Sequence, residues 1–134
     1  MDKALAPGDE LRQLGHGRGG AEWLRRHGHA ELSVAVAGHP VTVLGEAPDY
    51  EGWAAEVGLE GRVVSYADKR ATQEVVSLDE RFERWYRRYP DSPLLAVAHE
   101  RARRLEGEIC VAAGLAPDDV GRLAWVDAAL ADVA

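Results

Sequence analysis

The sequence predicts an all-α protein, a compact bundle of about five to seven helices that forms a single domain over residues 1–134. Apolar residues recur at helical spacing through most of the chain, and prolines and glycines interrupt this pattern at helix-length intervals. The β-prone run Val-Thr-Val-Leu at residues 41–44 is too short to build a sheet alone, and we expect it to be a loop. No repeat, low-complexity tract or long linker divides the chain, and 134 residues suffice for one core.

The first half of the chain is expected to hold four helices. They cover about residues 21–27, 30–38, 50–57 and 60–76. The residues that end or cap the first three are Gly28, Pro40, Asp49 and Gly58. The fourth helix has the strongest pattern, with Val63, Val64 and Ala67 near helical spacing on one apolar side.

The second half is expected to hold three more helices. Ser77 and Glu80 form a capping-box pattern that begins a helix running to Tyr89. The segment 90–93 contains two prolines and breaks this helix, and a long helix then runs to about residue 113, where Gly114 stops it. The last helix begins near Pro117. Its apolar stripe comprises Leu123, Val126 and Leu130.

Composition excludes several classes of protein. The formal net charge of −7 argues against general nucleic-acid binding, which needs a basic surface. The chain has one cysteine, Cys110, no apolar run of membrane-spanning length and no signal-peptide pattern at its start. Lysine occurs only at Lys3 and Lys69 while arginine is abundant, which is typical of a GC-rich bacterial genome. We therefore expect a soluble, cytoplasmic bacterial protein with no membrane or nucleic-acid partner.

The arginine-rich helix is the one feature that points the other way. Aromatic side chains alternate in it with Arg81, Arg84, Arg87 and Arg88. Such a mixture occurs in single-strand binding proteins and would suit RNA. Glutamates in the same helix and the acidic chain favour an amphipathic helix instead, which buries Phe82, Trp85 and Tyr89 and directs arginine outward.

Three side chains are candidate metal ligands. His16 lies among glycines, where the backbone can turn sharply; His39 ends an apolar helix; and Asp68 lies within the helix of residues 60–76. Each alone has an ordinary interpretation, a loop histidine or a solvated carboxylate. His27 and His29 could replace His16, but their charged neighbours are typical of a polar surface. The ordered set of His-Gly, a second His and then Tyr-Ala-Asp-Lys is more specific than any single member.

This order resembles the distal half of an HD-domain metal-dependent phosphohydrolase. Lys3 matches the lysine of the family's His-Asp-x-x-Lys element, His16 its His-Gly, His39 its second distal histidine and Asp68 its distal aspartate. The resemblance covers about residues 1–78, the family core. Residues 79–134 form a helical C-terminal extension with no match to that core.

The resemblance implies a site and a reaction. A divalent ion (manganese, iron, magnesium, nickel or zinc) would be held by His16, His39 and Asp68, and the substrate would be a nucleotide or another small phosphate ester. Asp68 and Lys69 would be catalytic, and Lys3 and Arg70 would bind phosphate.

The resemblance also implies that part of the family pattern is missing. The family's first histidine, its His-Asp pair and its first helix would precede Met1. We therefore expect a truncated chain that is weak or inactive as a hydrolase, and whose exposed apolar surface a homodimer would cover. The alternative is a non-catalytic helical protein that serves interaction or dimerisation.

Overall fold

A computed structural model describes residues 8–125, and these residues form helices and no strand, which confirms the all-α class. Seven are α-helices, at the upper end of the expected number. Their bounds are α1 Glu10–Gln13, α2 Arg18–Arg26, α3 Ser33–Gly38, α4 Val41–Glu46, α5 Tyr50–Arg70, α6 Leu78–Arg88 and α7 Leu94–Ala113. Two 3₁₀ helices, Ala30–Leu32 and Pro117–Arg122, precede α3 and follow α7.

Helix ends with strong local signals lie where the sequence places them. The Asp49 side chain accepts a hydrogen bond from the Gly52 amide at 2.6 Å and caps α5. The Ser77 hydroxyl accepts from the Glu80 amide at 3.1 Å and caps α6. Gly114 ends α7 in the left-handed conformation, with φ of 67°. Of the predicted last stripe, Val126 and Leu130 lie outside the described residues.

Gly58 divides α5 into two helical segments. Its φ of 68° and ψ of −171° are not helical and interrupt the run from Tyr50 to Arg70. A side chain other than hydrogen would be strained at these angles. The boundary predicted between two helices at Gly58 is thus confirmed, and the two segments meet there at a kink.

Three local predictions are wrong. Residues 41–44 are helical, because Pro40 begins α4 and Leu44 packs, fully buried, in the core, so burial overrides the weak β propensity. The helix after Gly58 ends at Arg70 and not at residue 76, because the chain turns back and the Val76 amide bonds the Arg70 carbonyl. The side of α5 that carries Val63 is exposed, and Tyr66 lies on its buried side.

The core lies where α5 crosses α4, α6 and α7. Its buried members include Leu44, Trp53, Tyr66, Phe82, Leu95 and Leu105. Arg101 of α7 donates to the carbonyls of Leu44 and Ala47 at 2.8 and 2.7 Å, which secures the end of α4. Helix α3 also packs on α5, and α2 packs on α3. The turn before α2, the turn after α3 and the end of α5 are consequently held beside one another.

Within the described residues, no helix combines the length and the apolar character that crossing a bilayer requires.

Candidate metal centre

Two turns carry the histidines. His16 lies in the turn between α1 and α2, and His39 follows the last residue of α3. Gly17 adopts φ of 87° and ψ of −58°, and a β-carbon at this position would lie 2.7 Å from Cγ of Pro40. Glycine therefore lets the first turn lie directly against the second. The two imidazole rings meet edge to face, with their Nε2 atoms 3.1 Å apart.

The last turn of α5 supplies the carboxylate. Oδ1 of Asp68 lies 4.0 Å from Nε2 of His39, and one ligand atom from each of His16, His39 and Asp68 lies within 4.8 Å of the others. No other group of three potential ligand side chains comes together in the described part of the chain. The three residues identified in the sequence therefore converge from three separate elements and can hold a metal ion.

Hydrogen bonding fixes which nitrogen of His39 is available. Its Nδ1 lies 2.6 Å from the Val36 carbonyl, which can only accept, so Nδ1 carries the proton. Burial lowers the pKa of His39, opposed by the Val36 hydrogen bond and by the charge of Asp68. The ring is therefore neutral at pH 7, and the lone pair on Nε2 faces the other two side chains. This is the state in which histidine binds a metal.

The spacing of the nitrogens suits a shared ion. Two imidazole nitrogens, each about 2.1 Å from one ion in tetrahedral or octahedral geometry, lie roughly 3.0–3.4 Å apart. The observed separation of 3.1 Å falls within that range. Asp68 is farther from His39, and a modest change of its side-chain torsions would bring it within the same distance. The donor set therefore fits a metal ion without movement of the backbone.

Lys69 does not face this site, contrary to the prediction that it acts in catalysis. Its side chain is 0% exposed, and Nζ donates to the His39 carbonyl at 2.9 Å, to the Ser65 carbonyl at 3.1 Å and to the Ser65 hydroxyl at 2.8 Å. Burial lowers the pKa of Lys69 to about 8, opposed by the charge of Asp68. All three ammonium protons are used within the protein, so Lys69 fastens the backbone of His39 to α5.

Arg70 is also engaged within the protein, contrary to the prediction that it binds phosphate. Its guanidinium donates to Glu106 at 2.7 Å and to the Tyr66 hydroxyl at 2.6 Å, and also to the carbonyls of Val76 and Pro117. These contacts tie the end of α5 to α7 and to the C-terminal 3₁₀ helix. The other predicted phosphate ligand, Lys3, lies outside the described residues.

The remaining histidines lie away from the cluster. His27 stacks on Trp23 and its Nδ1 bonds the Trp23 carbonyl at 2.8 Å. His29 is exposed, with Glu31 as its nearest carboxylate at 3.9 Å. His99 stacks on Phe82 and bonds a surface aspartate. None of the three substitutes for His16 in the metal-ligand group.

A cavity of about 700 Å³ opens beside the cluster. His16 and Asp68 lie in its wall, together with three side chains of α6, Arg81, Trp85 and Arg88, and with Tyr89, which directly follows that helix. The sequence interpretation missed this role. Phe82 is fully buried as expected, but Tyr89 is half exposed and Trp85 only partly buried. The alternation of arginine and aromatic residues was the available signal, and it marks a cavity wall.

Comparison of the chain with protein-family models, with curated proteins and with solved structures found no match.

Proposed function

We propose that this chain is a metal-dependent phosphohydrolase-like domain that acts on a nucleotide or another small phosphate ester. The proposal rests on the convergence of His16, His39 and Asp68, two of which, His16 and Asp68, line a cavity large enough for such a ligand. The resemblance of residues 1–78 to the HD-domain family supports the reaction type. Three protein ligands would leave coordination positions open for water and for a phosphate oxygen.

The donor set narrows the choice of metal. Two imidazole nitrogens and one carboxylate oxygen suit manganese, iron, nickel or zinc, whereas magnesium prefers oxygen ligands alone. A divalent ion bound there would supply Lewis acidity toward a phosphate oxygen and lower the pKa of bound water.

The protein's own contribution is to orient the ligands. Val36 sets the tautomer of His39, and Lys69 holds the His39 backbone against α5. Because His39 is buried while the Asp68 side chain is 34% exposed, Asp68 is the carboxylate within reach of a ligand in the cavity. Lys69 is thus a positioning residue in this proposal, whereas Asp68 would contact both the metal ion and the ligand.

A second candidate function is a non-catalytic module that pairs with another copy of this chain. The observation that favours it is the apolar stripe of Leu59, Val63 and Ala67, which are exposed on successive turns of α5. Sedimentation equilibrium at micromolar concentration tests it. A dimer that Val63→Glu dissociates supports this candidate, and a monomer at all concentrations removes it.

The test of the hydrolase begins with protein freed of metal by a chelator. Manganese, zinc, nickel, ferrous iron or magnesium is added back, and phosphate release from p-nitrophenyl phosphate and nucleoside monophosphates is measured alongside the melting temperature. We expect one transition metal to raise both. His39→Ala should abolish the two effects, whereas His29→Ala, which alters an exposed histidine, should leave them unchanged.

The outcomes separate the parts of the proposal. A melting temperature that millimolar metal does not change contradicts the metal site, and the dimerisation candidate then leads. A metal-dependent shift without phosphate release supports the site and contradicts the hydrolase.

A further inference from the structure

Helix α6 presents one face to the cavity that His16 and Asp68 also line. Arg81, Trp85 and Arg88 lie at helical spacings of four and three residues, and they border the cavity together with Tyr89, which follows the last residue of α6. Arg81 and Asp68 line the same cavity, so Arg81 lies near the end of α5 that carries the candidate metal ligand.

Among the described residues, Arg81 and Arg88 lack the ion-pair partners that Arg84 has. Arg84 bonds Glu80 at 2.6 Å and Glu74 at 3.3 Å on the outer side of α6. Within residues 8–125, neither Arg81 nor Arg88 forms an ion pair, although the chain carries an excess of seven negative charges. Two guanidinium groups without an ion-pair partner among the described residues thus border a cavity in whose wall Asp68 is the one carboxylate, an arrangement that attracts an anion.

Arg81 also carries a buried donor without an acceptor. Its Nε is the one buried side-chain nitrogen or oxygen in the described part of the chain that has no hydrogen-bond partner. The guanidinium lies over the ring of Trp85, with its central carbon 4.6 Å from the ring centroid. A buried N–H group without an acceptor is unfavourable, and phosphate oxygens suit the planar fork of arginine.

We propose that Arg81 and Arg88 bind the phosphate of the ligand and that Trp85 and Tyr89 pack against a planar ring attached to it. This inference rests on the proposed function and specifies the substrate class as a phosphate monoester that bears an aromatic or heteroaromatic ring. Inorganic phosphate has no ring against which Trp85 and Tyr89 could pack. A cavity of about 700 Å³ has room for a phosphate and a ring together.

The test measures binding in the presence of a chelator, so that the metal site takes no part. Phenyl phosphate and inorganic phosphate are titrated calorimetrically into the protein. We expect phenyl phosphate to bind more tightly. Arg81→Gln and Arg88→Gln should each weaken its binding about tenfold or more. Arg87→Gln removes the same charge from an exposed position of α6 and should change binding less than about twofold.

Further variants control for loss of the folded structure and test whether packing against the ligand's ring contributes to binding. Arg81→Lys keeps the charge but loses Nε and the planar fork, and we expect it to bind almost as weakly as Arg81→Gln. Trp85→Leu should reduce the preference for phenyl phosphate over inorganic phosphate. Arg88 is exposed, so Arg88→Gln will fold even if substitution of Arg81 is disruptive.

Three results would overturn the inference. They are the absence of phenyl phosphate binding, equal weakening by Arg87→Gln, and equal affinity for the two ligands. Because this measurement needs no metal, it fails or succeeds separately from the metal-dependent phosphate release that tests the proposed function.

Discussion

Replacement of Gly17 by alanine should disturb the contact between the two turns that carry the histidines. Gly17 combines a positive φ of 87° with direct contact to the second turn. The added β-carbon would lie 2.7 Å from Cγ of Pro40 and 3.1 Å from the Val36 carbonyl oxygen. The proline ring is rigid and cannot move aside alone, so the turn that carries His39 must shift with it.

Two contributions set the magnitude. A residue with a side chain at these backbone angles costs about 1–3 kcal/mol, and an extra methyl group in a packed contact costs about 1–3 kcal/mol more. Gly17→Ala should therefore lower the free energy of unfolding by about 2–6 kcal/mol. Gly15→Ala is the matched control, because Gly15 also flanks His16 with φ of 80° but a β-carbon there meets nothing within 4 Å. It should cost the backbone contribution alone.

Urea denaturation of both variants measures the difference, and calorimetric titration with zinc measures the consequence for the site. We expect Gly17→Ala to be the less stable by about 1–3 kcal/mol and to bind zinc about 10- to 100-fold more weakly than Gly15→Ala. Equal stability and equal zinc affinity for the two variants would refute the claim that contact between Gly17 and Pro40 sets the histidine spacing.

Three further substitutions test the surrounding structure. The pKa of Lys69 is about 8 in the folded protein and 10.5 in the unfolded chain, so between these pH values the folded protein binds fewer protons. In the presence of a chelator, the free energy of unfolding should therefore rise by about 1–2 kcal/mol from pH 8 to 9.5. Lys69→Met should abolish this rise in urea titrations, and a rise that persists would mean that another group causes it. Arg70→Met removes the cation that pairs with the nearly buried Glu106 carboxylate, and it should lower the free energy of unfolding by about 3–5 kcal/mol in the same assay. A loss below about 1 kcal/mol would contradict the role of the Arg70 hydrogen bonds in stabilising the fold. Phe82→Ala removes a fully buried ring and should cost about 3–5 kcal/mol by urea denaturation, and a cost near zero would contradict its place in the core.

Local signals in the sequence were sufficient to predict the positions of many helix ends. The caps at Asp49 and Ser77 and the stop at Gly114 depend on side-chain hydrogen bonds and on glycine's freedom, both of which act within a few residues. Helix α4 was missed because its formation depends on burial of Leu44 against distant parts of the chain. Propensity alone does not contain that information.

The site shows the same division. His16, His39 and Asp68 could be predicted as metal ligands from their order along the chain and from the family resemblance. The structure brings the three side chains together. The orientation of Lys69 was not readable, because neighbouring residues on a helix point about 100° apart. Asp68 therefore faces the cavity while Lys69 enters the core. Arg81 was assigned to solvent because periodicity shows which residues share a face, and not what that face borders.

The central claim is that His16, His39 and Asp68 bind one divalent ion, and cobalt(II) tests it most directly. Its visible absorption reports nitrogen and oxygen ligation, so metal-free protein is titrated with cobalt(II) and followed by absorption. We expect bands that saturate at one equivalent, are lost in His39→Ala and Asp68→Ala, and persist in His29→Ala. Absence of the bands from the unmodified protein, or bands that His39→Ala leaves unchanged, would contradict it.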